Sequence, residues 1–333
     1  MCFKNFFKKK NKDKQTSQEN MGSNIENYNF DDSAQSEKTE QQLTENDEAK
    51  SDSPNTNNAN RWKHSNLKSN EIYSDIDKIG RIIAIANQKG GVGKSTTAVN
   101  LSAYLGDYGY KTLLIDFDPQ SNSTSGLGVD KEHIKKSIYE LIILNEEPLE
   151  AIIKTSYKNL YIIPSSIQLA GAEVELVSSM RREYKLKQVT DKLKNSFDFI
   201  IVDCPPALGL LTINALTAAK EVLIPIQCEY YALEGLGQLI NTINLIRENL
   251  NESLKITGVL MTMYDGRTKL SEQVIDEVKA YFPEKVYKTI IPRNIRLSEA
   301  PSYGKPILGY NSECKGAVAY KCFTEEVIKN GSE

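Results

Sequence analysis

Residues 81–96, RIIAIANQKGGVGKST, decide the fold. Arg81-Ala86 is an apolar run rich in β-branched side chains, which suits a strand buried on both faces. A glycine-rich turn follows, and Lys94-Tyr108 reads as a helix opening directly out of it. Strand, glycine turn and helix in that order make an anion cradle. The glycines let the chain turn tightly, successive N–H groups point inward, and the helix N-terminus adds partial positive charge. Gly90, Gly91, Val92 and Gly93 supply the backbone of such a phosphate-binding loop. Lys94 is placed to reach the β- and γ-phosphates of a nucleotide and the Ser95 hydroxyl to ligate Mg²⁺, with Thr96 as a supporting hydroxyl.

Outward from this stretch the same alternation recurs. Thr112-Ile115, Leu160-Ile163, Phe199-Val202, Val222-Ile226, Ile256-Met261 and Val286-Ile291 read as short buried strands. Helical patterns lie between them near Gln168-Ser178, Arg182-Asn195, Leu210-Ala219, Leu233-Asn249 and Ser271-Tyr281. Strands separated by helices impose right-handed crossovers. The expected fold class is therefore α/β, a doubly wound, mostly parallel sheet with helices on both faces, binding its ligand at the carboxyl ends of the strands.

Two of those strands end in carboxylates. In Thr112-Gln120, TLLIDFDPQ, Asp116 and Asp118 can face the same side if the strand stays extended, because alternate residues share a face. Beside a phosphate loop, such groups hold Mg²⁺ through water or orient the attacking water, and a purely structural role for Asp116 is the other reading. Phe199-Pro206, FIIVDCPP, repeats the design and puts Asp203 where it meets the Mg²⁺ shell through water. Cys204 reads as a small packed residue, since nothing basic adjoins it in sequence.

The 333-residue chain is 40% hydrophobic and 26% charged, enough for a sizeable core. That core is expected in residues 79–333. Residues 1–78 are rich in Asn, Ser, Lys, Glu, Asp and Gln without apolar periodicity, and read as a disordered arm. The arm opens with a basic, Phe-containing segment, MCFKNFFKKKNKDK, which could rest on an anionic membrane or a partner groove. Five scattered cysteines form no CxxC pair and no Cys/His cluster, so neither a disulfide framework nor a zinc site is indicated. They read as reduced thiols in a cytoplasm, and no apolar run is long enough to span a bilayer. A net charge of −3 excludes a uniformly basic surface and leaves nucleic-acid binding to a few placed residues.

KGGVGKST (89–96), with its early Lys89, resembles the deviant phosphate loop of the ParA/MinD/nitrogenase-iron-protein class. SIQLAGAEVEL (166–176), CPPALGLLTINAL (204–216), PIQCEYYALEGL (225–236) and IPRNIRLSEAPSYGKPI (291–307) narrow the resemblance to the ParA/Soj partitioning ATPases, from about Gly80 to the C-terminus. The resemblance implies that ATP and Mg²⁺ are the ligands, that ATP closes a homodimer, and that Lys89 crosses to the nucleotide of the facing subunit. It gives Asp118 the hydrolysis role, and it places Pro292 and Asn294 near the adenine. Arg267 and Arg296, accompanied by Lys269 and Lys305, are implied to bind DNA without sequence preference. A ParB-type partner is implied to stimulate hydrolysis, in chromosome or plasmid segregation at the nucleoid, with possible effects on replication or sporulation. The competing reading is a MinD-like membrane ATPase, but the C-terminal YKCFTEEVIKNGSE is short and mixed in charge rather than a basic amphipathic helix. An iron-cluster reductase lacks a second cysteine ligand beside Cys204, and the tyrosines are dispersed rather than gathered at the end as in a bacterial tyrosine kinase.

Overall fold

The computed structural model describes residues 80–229 and 235–330. The expected arm, residues 1–78, lies outside them. Seven strands form one sheet: β1 (Arg81–Ile85), β2 (Thr112–Asp116), β3 (Ile153–Lys154), β4 (Leu160–Ile163), β5 (Phe199–Asp203), β6 (Glu221–Gln227) and β7 (Lys255–Thr262). Their spatial order is β3-β4-β2-β5-β1-β6-β7, parallel throughout except for the β3–β4 pair at one edge. The chain leaves β1 for β2, and β5 later returns to fill the space between them. This reversal opens the ligand crevice of a doubly wound sheet.

The register does the rest. Ile85 pairs with Asp203, and Asp203 pairs with Asp116. Three stretches far apart in sequence thereby bring a phosphate loop and two carboxylates to the same edge.

The strands are buried on both faces, so their apolar residues divide by parity between two cores. Ile82, Ala84, Leu113, Ile115, Ile200 and Val202 face one core. It is covered by α3 (Ile138–Ile143), α4 (Leu169–Glu175), α5 (Lys185–Leu193), α6 (Leu210–Ala218), α7 (Leu236–Asn249) and α8 (Lys269–Tyr281), numbered after α1 (Lys94–Asp107) and α2 (Asn122–Gly126). Ile83, Ile85, Leu114 and Ile201 face the other. That side is closed by α1 together with α9 (Ile295–Glu299), α10 (Ile307–Tyr310) and α11 (Lys315–Lys329).

One expectation is corrected. Val286-Ile291 is not a strand, for beside β7 it forms only an isolated bridge, Val259 to Val286, with Tyr287 N and Ile291 N donating to Val259 O and Met261 O. The N–H groups of Lys288 and Thr289 go instead to the Glu326 carboxylate, at 2.9 and 2.8 Å, and Pro292 has no N–H to give. The C-terminal segment, short and mixed in charge, forms most of α11, a helix not anticipated in sequence, whose Ala317, Tyr320, Phe323 and Val327 are buried. Among the described residues no helix is long and apolar enough to cross a membrane.

Candidate functional site: a phosphate loop beside two carboxylate strands

The loop after β1 is built as a cradle. Gly91 and Gly93 have φ of 74° and 89°, the left-handed region that glycine enters at little cost. A Cβ on Gly90 or Gly91 would meet nothing within 4 Å, so the inner wall is open for a ligand to approach the backbone. Two side chains fix the loop from below. Asn87 accepts from Lys89 N at 3.0 Å and donates to Pro225 O at 2.6 Å, and Thr262 Oγ1 donates to Val92 O at 2.9 Å. Lys94, the first residue of α1, is buried and arches back to donate to Lys89 O at 3.1 Å. Burial pulls its pKa down, against the raising influence of Asp203, Cys204 and Asp118.

Opposite the cradle, Asp203 is fully buried. Its Oδ2 accepts from Ser123 Oγ at 2.7 Å, while Oδ1 has no hydrogen-bond partner. Burial and the neighbouring Asp116 push its pKa well up, with the hydroxyls of Ser123 and Ser95 opposing them. An orphaned carboxylate oxygen beside the Ser95 hydroxyl is the donor set that Mg²⁺ favours, one or two protein oxygens with the remainder left to water and phosphate. Among the described residues no group of three or more His, Cys, Asp or Glu gathers elsewhere as a metal cage.

Asp116 is placed differently. Its Oδ2 accepts from both the backbone N–H and the hydroxyl of Thr124, each at 2.7 Å, and Oδ1 accepts from Asp118 N at 3.3 Å. Burial raises its pKa and the Thr124 bonds hold it down. The geometry thus favours the structural reading of Asp116, which fixes the loop carrying Asp118 and Ser123. Asp118 lies past the strand end, buried, and accepts from Gln120 N at 2.9 Å. Cys204 is buried and its thiol pKa is pushed up by that burial, as expected of a packed residue.

Lys89 has a different partner from Lys94. Its ammonium lies 3.9 Å from Glu229, which also holds Arg293 at 3.2 Å. Pro292 bridges Tyr264, and Asn294 caps α9 by accepting from Arg296 N at 2.8 Å. Arg267 lies three residues after Tyr264, and Arg296 lies in the first turn of α9, four residues after Pro292. Both arginines are exposed, Arg267 forked onto Asp265 at 2.8 and 2.6 Å and Arg296 on Glu299 at 2.8 Å. Sequence reasoning missed Ser123, Thr124, Thr262, Glu229 and Arg293. Only the hydroxyl run Ser121-Asn122-Ser123-Thr124 after DPQ gave a legible signal.

A family model described as AAA domain matches residues 80–256. The chain is 56% identical over 253 residues to the sporulation initiation inhibitor protein Soj of Bacillus subtilis, across 76% of this chain and 100% of that protein. It is 50% identical to the chromosome partitioning protein ParA of Myxococcus xanthus, across 75% of this chain and 89% of that one. The chain belongs to the ParA/Soj family of chromosome-partitioning ATPases. It is an ATPase whose ligands are ATP and Mg²⁺. Among solved structures, cobyrinic acid a,c-diamide synthase of Mycobacterium smegmatis with bound ADP and magnesium matches at 38% identity and a TM-score of 0.68, covering 77% of this chain and 96% of that one. An McdA–ATP complex from Cyanothece matches at 28% identity and 0.68, covering 76% and 97%.

Proposed function

We propose that this ParA/Soj-family ATPase is a nucleotide-gated DNA carrier. ATP closes two copies face to face, the closed dimer binds DNA without sequence preference, and a ParB-type protein stimulates hydrolysis and so releases it. The observation that carries this reading is the division of labour between two lysines. Lys94 is buried within its own cradle, whereas Lys89, on the same loop, is partly exposed and lies 3.9 Å from a partly exposed Glu229. A lysine so placed can serve a phosphate presented by a facing copy, as an arginine finger does.

The remaining roles follow from position. Gly90, Gly91, Val92 and Gly93 offer backbone N–H groups to the phosphates, Thr96 supports Ser95, and Ser95 and Asp203 hold Mg²⁺. When bound, Mg²⁺ neutralises charge on the transferring phosphoryl group. Asp118 orients the attacking water, while Asp116 keeps the Asp118 loop in place and stands behind the metal shell. Pro292 and the free amide end of Asn294 border the adenine. Arg267 and Arg296 take the DNA backbone, and joining two copies doubles that basic face. Segregation of a chromosome or plasmid at a cytoplasmic nucleoid is the process this cycle suits, with residues 79–333 acting as the ATPase domain.

Separate substitutions of the two lysines test the reading. Lys94→Ala is expected to abolish ATP binding in a fluorescent-nucleotide titration. Lys89→Ala is expected to keep ATP affinity within a few fold yet lower turnover by about 10³-fold, the scale of a finger supplied in trans. Equal loss of nucleotide affinity in both variants would place Lys89 in its own chain's site and sink the trans role.

A further inference from the structure

Asn100 stands in the middle of α1, is 4% exposed, and has no part in the nucleotide site. Asparagine is a weak helix former, and its amide is costly to bury unless both ends are hydrogen-bonded. Both ends are. Nδ2 donates to Thr96 O at 2.8 Å, and Oδ1 accepts from Ile307 N at 2.7 Å, 207 residues away in sequence. The phosphate-loop helix therefore holds the start of α10, two residues after Lys305.

A second contact seats the same stretch on α2. Gly304 and Gly128 meet backbone to backbone, with φ of 61° and 71°. A Cβ on Gly304 would lie 2.6 Å from Gly128 Cα, and one on Gly128 would lie 2.7 Å from Gly304 O. Gly128 N donates to Ser125 O at 2.8 Å, which ties it to α2, whose Ser123 and Thr124 bond to Asp203 and Asp116. Residues 295–307 thus rest on both elements that follow the phosphate loop and the first carboxylate strand. On their inner side Leu297, Ala300 and Ile307 are buried, and on their outer side Arg296 and Lys305 are exposed.

We propose that Asn100 is a positioning residue for DNA binding, which fixes Arg296 and Lys305 to the nucleotide site of their own chain. A pull on Ser95 reaches these two cations through α1 and Asn100. A pull on Asp203 reaches them through Ser123, α2 and the Gly128–Gly304 contact. This inference rests on the DNA binding of the proposed function, and it adds a link inside each copy to the doubling of the basic face between copies.

Full-length Asn100→Ala tests it on a mixed-sequence DNA duplex at fixed salt and saturating ATP, beside fluorescent-ATP titration. The variant leaves the buried Ile307 N–H without its acceptor. The expected result is ATP affinity within about twofold of wild type and DNA affinity lowered at least about fivefold. That loss should persist in an Arg267→Ala background and vanish in Arg296→Ala with Lys305→Ala, since nothing is then left to position. Asn100→Ser keeps a hydroxyl for Thr96 O and removes only the acceptor for Ile307, and it carries the judgement if Asn100→Ala loses ATP binding. DNA affinity equal to wild type would overturn the role, as would loss of ATP binding in both variants. Losses that multiply in the Arg296→Ala, Lys305→Ala background would also overturn it and make Asn100 a residue of the fold alone. Each of these leaves the DNA carrier standing. A wild-type chain that binds no DNA with ATP would overturn both.

Discussion

Asp203 keeps a charge where burial opposes it. Its Oδ1 lacks a partner, and burial together with Asp116 in register beside it holds its pKa above the ordinary value. A carboxyl whose folded pKa exceeds its unfolded one stabilises the fold when protonated, and that contribution is lost as pH rises from about 4 through the folded value. At pH 8 the nucleotide-free protein therefore carries a penalty that a cation at this oxygen would relieve. Asp203→Asn is expected to raise the melting temperature without nucleotide by about 3 °C or more at pH 8, and the gain should shrink toward pH 4. The further rise that Mg²⁺-ATP gives the wild type should be largely absent from the variant. A calorimetric scan in which Asp203→Asn melts below wild type at pH 8 would refute this account of the buried pair.

Among the elements, the amino-terminal ends of the strands are tied by one ion pair that has no part in the chemistry. The Arg81 guanidinium of β1 forks onto Glu221 of β6 at 2.8 Å twice and reaches Val327 O in α11 at 2.6 Å, while Thr257 of β7 donates to the same carboxylate. Burial works to raise the pKa of Glu221, and Arg81, Thr257 and Lys255 more than compensate, leaving it below the ordinary value. Its contribution is present above about pH 4.3 and lost as pH falls through the lowered folded value. Glu221→Gln leaves Arg81 unpaired, and it should cost about 3 kcal/mol in urea unfolding at pH 7. The difference from wild type is expected to narrow below about pH 4; a constant gap would mean packing, not charge, carries it. The main elements were legible because buried parallel strands announce themselves as short β-branched runs. Residues 286–291 have that composition too, yet the N–H groups of Lys288 and Thr289 go to Glu326 and break the ladder, a tertiary choice no local pattern records. Helix α11 was missed for the opposite reason, because Lys321, Glu325 and Lys329 on its outer side mask the inward stripe of Tyr320, Phe323 and Val327.

Across the whole molecule, the sheet order joins parts that the sequence scatters. The cradle and Asp203 could be read from motif and context alone, since each sits at the end of its own strand. The anchoring of Asp116 by Thr124 and the tether between Lys89 and Glu229 could not, because both depend on loops meeting across the carboxyl edge. The central claim is that ATP turns this chain into a DNA-binding dimer through Arg267 and Arg296. The direct measurement is DNA retention by the full chain at fixed salt with ATP, with ADP, and with ATP after Arg267→Ala and Arg296→Ala together. Binding is predicted with ATP alone, falling by at least about tenfold in the double variant, with a shallower dependence of log affinity on log salt. Equal binding with ATP and ADP, or full retention by the double variant, would contradict it.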